Sequence, residues 1–130
     1  MAELAKWNGS FRRAKISDFT NSTTNTYTIK DLMTENGDTA IEMLKMDVEE
    51  AEHTALPPLL NSTRICQIFI EVHGSAYQMV TLLKMISAAG FYLFSYEING
   101  FYTTLCEFSF IHETCLARYN VDIVLGRYLS

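Results

Sequence analysis

Apolar positions in this chain follow two rhythms. Ile41 to Met46 is a brief apolar run with two polar interruptions, and it predicts a strand. Ile65 to Val72 reads Ile-Cys-Gln-Ile-Phe-Ile-Glu-Val, nearly continuous and rich in branched residues. That is the pattern of a strand buried on both faces, as parallel sheets require. Between them, Ala51 to Leu60 has helical composition, but Pro57-Pro58 removes two backbone donors. The expected helix therefore runs from about Glu50 to Leu56, with a kink or new turn after it. From Ala76 to Ala89, Met79, Leu82, Leu83 and Ile86 keep helical spacing, and Gly90 suits the cap. Phe91 to Ile98 is an aromatic-rich strand. Asn99-Gly100 is a strong hairpin-turn signal, and Leu105 to Ile111 is the returning antiparallel strand.

The order is strand, helix, strand, helix, strand, then an antiparallel partner. Strands joined through helices run parallel with right-handed crossovers, so the fold class is α/β. Earlier in the chain the pattern weakens. Phe11 to Ile16 fits a short strand, Ser17 to Tyr27 reads as a polar loop, and Ile29 to Glu35 fits a helix stopped by Asn36-Gly37. The expected division is a poorly anchored segment over 1–27, a body over 28–118 and a tail over 119–130, with one helical turn near Cys115 to Tyr119.

Composition narrows the function classes. The 130 residues are 48% hydrophobic, enough for one packed core. The net charge is −5, and the one basic cluster is Phe11-Arg12-Arg13-Ala14-Lys15, so binding to DNA or RNA is not expected. No stretch is long and apolar enough to span a membrane. Met1 to Ser10 has no hydrophobic signal core. As written the chain is expected to be cytoplasmic, with the secretory pathway open if a leader precedes it. The three cysteines, Cys66, Cys106 and Cys115, show no Cys-x-x-Cys spacing and are odd in number, so they are expected to be buried thiols.

The densest polar cluster is Lys45-Met46-Asp47-Val48-Glu49-Glu50-Ala51-Glu52, where a strand gives way to a helix. Ligands of open α/β sheets bind beyond the carboxyl ends of the strands. Asp47 stands at one such end, and Glu71 and His73 at the next. If the strands are neighbours, these three side chains share a rim. They could then orient a hydroxyl, accept its proton or hold a divalent metal. Glu49, Glu50 and Glu52 have a plainer use at the positive end of a helix dipole. His53 and His112 lack metal-spaced partners, and no residue is assigned as a metal ligand. Phe91, Tyr92, Phe94, Tyr96, Phe101 and Tyr102 are expected to pack on the sheet.

At these residues the chain resembles the FkbM-type methyltransferase family, particularly its animal, nematode-like members. Ile41 to Glu52 resembles the signature "LK-apolar-D-apolar-E-G-A-E", and Gln67 to His73 resembles a second, an apolar strand closing in Glu-apolar-His. Ala89 to Asn99 and Cys106 to His112 match later strands, and the resemblance covers about Phe11 to Arg118. It implies a class I, Rossmann-like three-layer sandwich with helices on both faces of a sheet ordered 3-2-1-4-5-7-6. S-adenosylmethionine is the implied methyl donor and a hydroxyl oxygen of a small-molecule or glycan-type acceptor the implied target.

Mapped by residue, Ile41–Met46 resembles the fourth strand, Cys66–Val72 the fifth, Phe91–Ile98 the sixth and Leu105–Ile111 the seventh. Phe11–Ile16 resembles the third, with Asp18 near the adenine. Asp47 takes the acidic position beside donor and acceptor, with His73 as base and Glu71 as its support. The family's small glycine is Glu50 here. The first two strands, with their Gly-x-Gly turn, have no counterpart, so the chain reads as the C-terminal portion of the domain. The expectation is then a 4-5-7-6 sheet whose open edge suits a second copy or a partner chain. Two other readings stand beside the enzyme: a non-catalytic interaction module, and a protein binding a metal or a small acid through Asp47, Glu71 and His73.

Overall fold

The computed structural model describes residues 6–102 and 104–122. Four strands form its main sheet: β3 (Ala40–Met46), β4 (Arg64–Val72), β5 (Phe91–Ile98) and β6 (Cys106–His112). Their order is β3-β4-β6-β5. β3 and β4 pair in parallel, Ile41 opposite Ile65 and Met46 opposite Ile70. β6 is antiparallel to both β4 and β5. Two short strands precede the sheet, β1 (Lys15–Ile16) and β2 (Thr26–Tyr27). The helices are α1 (Ile29–Asn36), α2 (Glu52–Leu60) and α3 (Ala76–Ala88). Two 3-10 turns, Glu113–Cys115 and Ala117–Tyr119, follow β6 where one helical turn was expected.

The core lies between the helices and one face of the sheet. Met33 of α1, Leu56 and Leu59 of α2, and Leu82 and Ile86 of α3 join one cluster with Ile68, Ile70, Val72, Phe108 and Phe110. Helices on both faces were expected. Among the described residues they cover one face, so the arrangement is two layers rather than three. The topology explains the difference. The crossovers β3-α2-β4 and β4-α3-β5 advance in the same direction across the sheet, and crossovers of one hand then set both helices on the same side. The aromatic positions of β5 diverge accordingly. Phe91 is buried, whereas Tyr92, Phe94 and Tyr96, with Phe101 and Tyr102 of the following loop, are exposed. Phe94 meets Phe69 edge to face, ring centroids 6.2 Å apart.

Three further expectations are corrected. α2 begins at Glu52, not Glu50, and continues through Pro57 and Pro58 to Leu60. The lost donors are outweighed by burial of Ala55, Leu56 and Leu59, since packing of an apolar face supplies most of a helix's stability in a protein. The strand expected over Phe11–Ile16 shortens to Lys15–Ile16, and it finds a partner inside the supposed loop, Lys15 opposite Thr26 and Ile16 opposite Tyr27. That pairing is made possible by a turn in which the Asn21 side chain accepts from the Thr23 amide and Asn25 adopts φ 55°. The Arg12 guanidinium lies 4.2 Å from the Tyr27 ring centroid and pairs with Glu35. The third correction concerns the thiols: Cys66 and Cys115 form a disulfide across 49 residues, and Cys106 alone is a free cysteine.

α1 shows how local chemistry fixes an element. The Thr28 hydroxyl accepts from the Asp31 amide, and Gly37 closes the other end at φ 78°. Hydrogen bonds from the Thr20 and Thr28 hydroxyls hold the Asp31 carboxyl below its ordinary value. A lowered carboxyl adds stability above the ordinary carboxylate range and loses it as pH falls through the lowered value. Thr28→Ala is expected to cost about 1 kcal/mol in urea unfolding at neutral pH, as lost helix caps do.

Candidate functional site

Parallel pairing of β3 and β4 brings their carboxyl ends to one rim, and the residues that follow each strand meet there. Met46 stands opposite Ile70, so Asp47 and Glu71 occupy the next step of the same register. His73 follows β4 and is 8% exposed. Its Nε2 lies 3.5 Å from a Glu71 carboxylate oxygen and 3.5 Å from one of Glu49. Donor atoms of Asp47, Glu49 and His73 all fall within 4.8 Å of one another. The expected trio thus shares a rim, joined by Glu49.

Glu52 is the residue that sequence reasoning left among helix-dipole candidates. It does open α2, but it is 0% exposed. One of its oxygens, Oε1, accepts from the His73 amide at 2.6 Å and lies 3.1 Å from His73 Nδ1. Oε2 is buried with no hydrogen-bond partner. With the Glu52 carboxylate as acceptor, Nδ1 carries the proton and Nε2 presents its lone pair to the rim. His53, one residue on, places Nε2 2.6 Å from the His73 carbonyl oxygen. The histidine is therefore fixed through both its backbone and its ring. His112 serves elsewhere, with Nε2 3.0 Å from the Ala89 carbonyl.

The turn that delivers Glu49 is unusual. Glu49 and Glu50 both have left-handed backbones, with φ of 51° and 74°. Such a conformation costs a residue with a Cβ roughly 1–2 kcal/mol, and it is the physical reason a glycine suits the position Glu50 occupies. The Glu49 side chain is 86% exposed, so the turn holds a carboxylate out over His73.

The acidic rim extends along the sheet. Glu71 pairs opposite Glu107, and Glu107 opposite Glu97. Like charges facing each other across strands are destabilising, and here three stand in a row beside Asp47. Lys45 Nζ, 3.5 Å from Glu107, offsets part of that charge. A groove of about 160 Å³ lies along the row, lined in part by Glu71, Glu97, Asn99 and Glu107. Neither Glu97 nor Glu107 was expected, because their alignment depends on the register of β5 and β6.

Asp18 stands apart. It is exposed and lines a groove of about 280 Å³ with Thr28, Lys30, Pro58 and Ser62, toward the far end of α2. A second groove, about 490 Å³, runs between Ala14–Ser17 and Val48–Ala51, next to the rim. Ser17 lines both.

No helix among the described residues is long and apolar enough to cross a membrane. No curated protein and no solved structure gives a match. The sequence matches the methyltransferase FkbM domain over residues 2–94, a span that includes β3, β4 and the rim at Asp47, Glu49, Glu52, Glu71 and His73. The chain belongs to the FkbM methyltransferase domain family.

Proposed function

We propose that this chain transfers a methyl group from S-adenosylmethionine to a hydroxyl oxygen of a small-molecule or glycan-type acceptor, at the rim formed by Asp47, Glu71 and His73. The supporting observation is the meeting of these side chains beyond two neighbouring parallel strands, in a chain of a methyltransferase family. The order β3-β4-β6-β5 reads as strands four, five, seven and six of a class I methyltransferase sheet.

The side chains present suit such a donor. S-adenosylmethionine, when bound, supplies a methyl group on a positively charged sulfur. The carboxylates of Asp47, Glu49 and Glu71 complement a cation at the rim. The groove between Ala14–Ser17 and Val48–Ala51 offers space for the adenosyl end, with Asp18 one residue beyond it.

The remaining chemistry belongs to the chain. Asp47 accepts a hydrogen bond from the acceptor hydroxyl and orients its oxygen. His73, with Nδ1 held by Glu52, takes the hydroxyl proton at Nε2. Glu71 stabilises the imidazolium that results. Alignment of the reacting atoms carries much of the acceleration in such a transfer.

Calorimetry on the full chain tests the reading. S-adenosylmethionine and S-adenosylhomocysteine are both expected to bind. Asp47→Asn should weaken the charged donor by about tenfold, equivalent to about 1.4 kcal/mol, and the uncharged product less. If neither ligand binds at millimolar concentration, the enzymatic reading fails for this chain. The exposed Phe94 and Tyr96 on the edge strand β5 would then favour a non-catalytic interaction module.

A further inference from the structure

The rim has a feature that proton transfer alone leaves unexplained. His73 is 8% exposed, yet among the described residues its Nε2 makes no hydrogen bond. The two flanking carboxylate oxygens, from Glu49 and Glu71, stand 3.5 Å away. A charged hydrogen bond would bring them to about 2.7–2.9 Å. Two atoms bound to one small cation at about 2.0–2.3 Å, roughly at right or tetrahedral angles, lie about 2.8–3.8 Å apart. The two 3.5 Å contacts of Nε2 fall in that range, and the donor atoms of Asp47, Glu49 and His73 lie within 4.8 Å of one another, close enough to be drawn onto one ion.

We infer that Asp47, Glu49 and His73 Nε2 form a divalent-cation site, with Glu71 alongside. The donor set is one imidazole nitrogen and several carboxylate oxygens, a mixture suited to a moderately hard ion such as Mn²⁺. Glu52 has the place of an outer partner. A ligating histidine usually gives its other ring N–H to a carboxylate, which fixes the ring and raises its basicity. Glu52 Oε1 stands 3.1 Å from Nδ1, and it is buried where no solvent competes. The acidic row Glu71, Glu107 and Glu97 adds negative potential that draws a cation to this end of the sheet.

Cation and proton compete for the same lone pair on Nε2. With a cation bound, Nε2 is no longer the base: the cation would polarise the acceptor hydroxyl, and its proton would pass to the Glu71 carboxylate, which stands outside the donor set. That consequence rests on the methyl-transfer reading; the site itself does not.

Mn²⁺ titration followed by electron paramagnetic resonance, with no donor or acceptor present, tests the site. One Mn²⁺ per chain is expected to lose its free-ion signal. Asp47→Asn and Glu49→Gln should each weaken binding by about tenfold, and the double variant further. Asp47 and Glu49 are exposed, so both variants keep the fold. Equal Mn²⁺ binding by the chain and the double variant, or none at about 1 mM, overturns the inference. Failure here leaves methyl transfer standing with His73 as base, and failed donor binding leaves the cation site standing.

Discussion

A Cys66→Ala, Cys115→Ala double variant is expected to lose about 4 kcal/mol of stability, the cost of freeing a loop of this length in the unfolded chain. The bond closes 49 residues. Small domains are stable by only about 5–15 kcal/mol, so the loss is a large share of the total. Both cysteines are buried, at 1% and 3% exposure, and they pack with Ile111, Leu116 and Tyr119. Alanine at both positions removes little apolar surface, so the change reads the crosslink and not the packing. Urea unfolding without reductant is the measurement, because reductant would erase the difference. A shift below about 1 kcal/mol would mean that the loop is already restricted in the unfolded state, as residual structure can do.

Glu52→Ala is expected to destabilise by about 3 kcal/mol, since two buried donors lose their acceptor at about 1–3 kcal/mol each. The substitution leaves the His73 amide and Nδ1 without their shared acceptor. Glu52→Gln keeps the shape and one acceptor oxygen, so it should lose about 1 kcal/mol, near the worth of a single hydrogen bond. The function at the rim should fall in both, by about 10-fold or more, since the ring is no longer held. Thermal unfolding, combined with the Mn²⁺ and donor titrations, checks the pair. If Glu52→Gln binds both ligands as well as the parent chain does, Glu52 is structural only.

Much of this architecture was legible because it depends on short-range patterns. Ile65 to Val72 could only be a strand, although Gln67, Phe69 and Glu71 on its second face are half-buried rather than buried as expected, and the polar cluster after Met46 had to leave the sheet at its ligand-binding end. Those two readings suffice to bring Asp47 and His73 together. What stayed hidden needs contacts distant in sequence. Glu52 sits in a run of four acidic residues among six, and nothing local says that it turns inward while Glu49 and Glu50 stay out. The row Glu71, Glu107 and Glu97 exists only through the strand register. The disulfide joins one end of β4 to the turn after β6, and an odd cysteine count gave no pairing. The two prolines of α2 pointed the wrong way, because local propensity is silent about the burial of Leu59 behind them.

β4 occupies the middle of the sheet, with β3 on one side and β6 on the other. It carries a crosslinked sulfur near its start and leads directly into the rim imidazole. The ring cannot drift without two ladders unzipping at once. Wear at the periphery, at the N-terminal turn or the aromatic strand, leaves the working groups where they were. Competence should fade late on heating and then vanish all together, in step with the molecule's collapse.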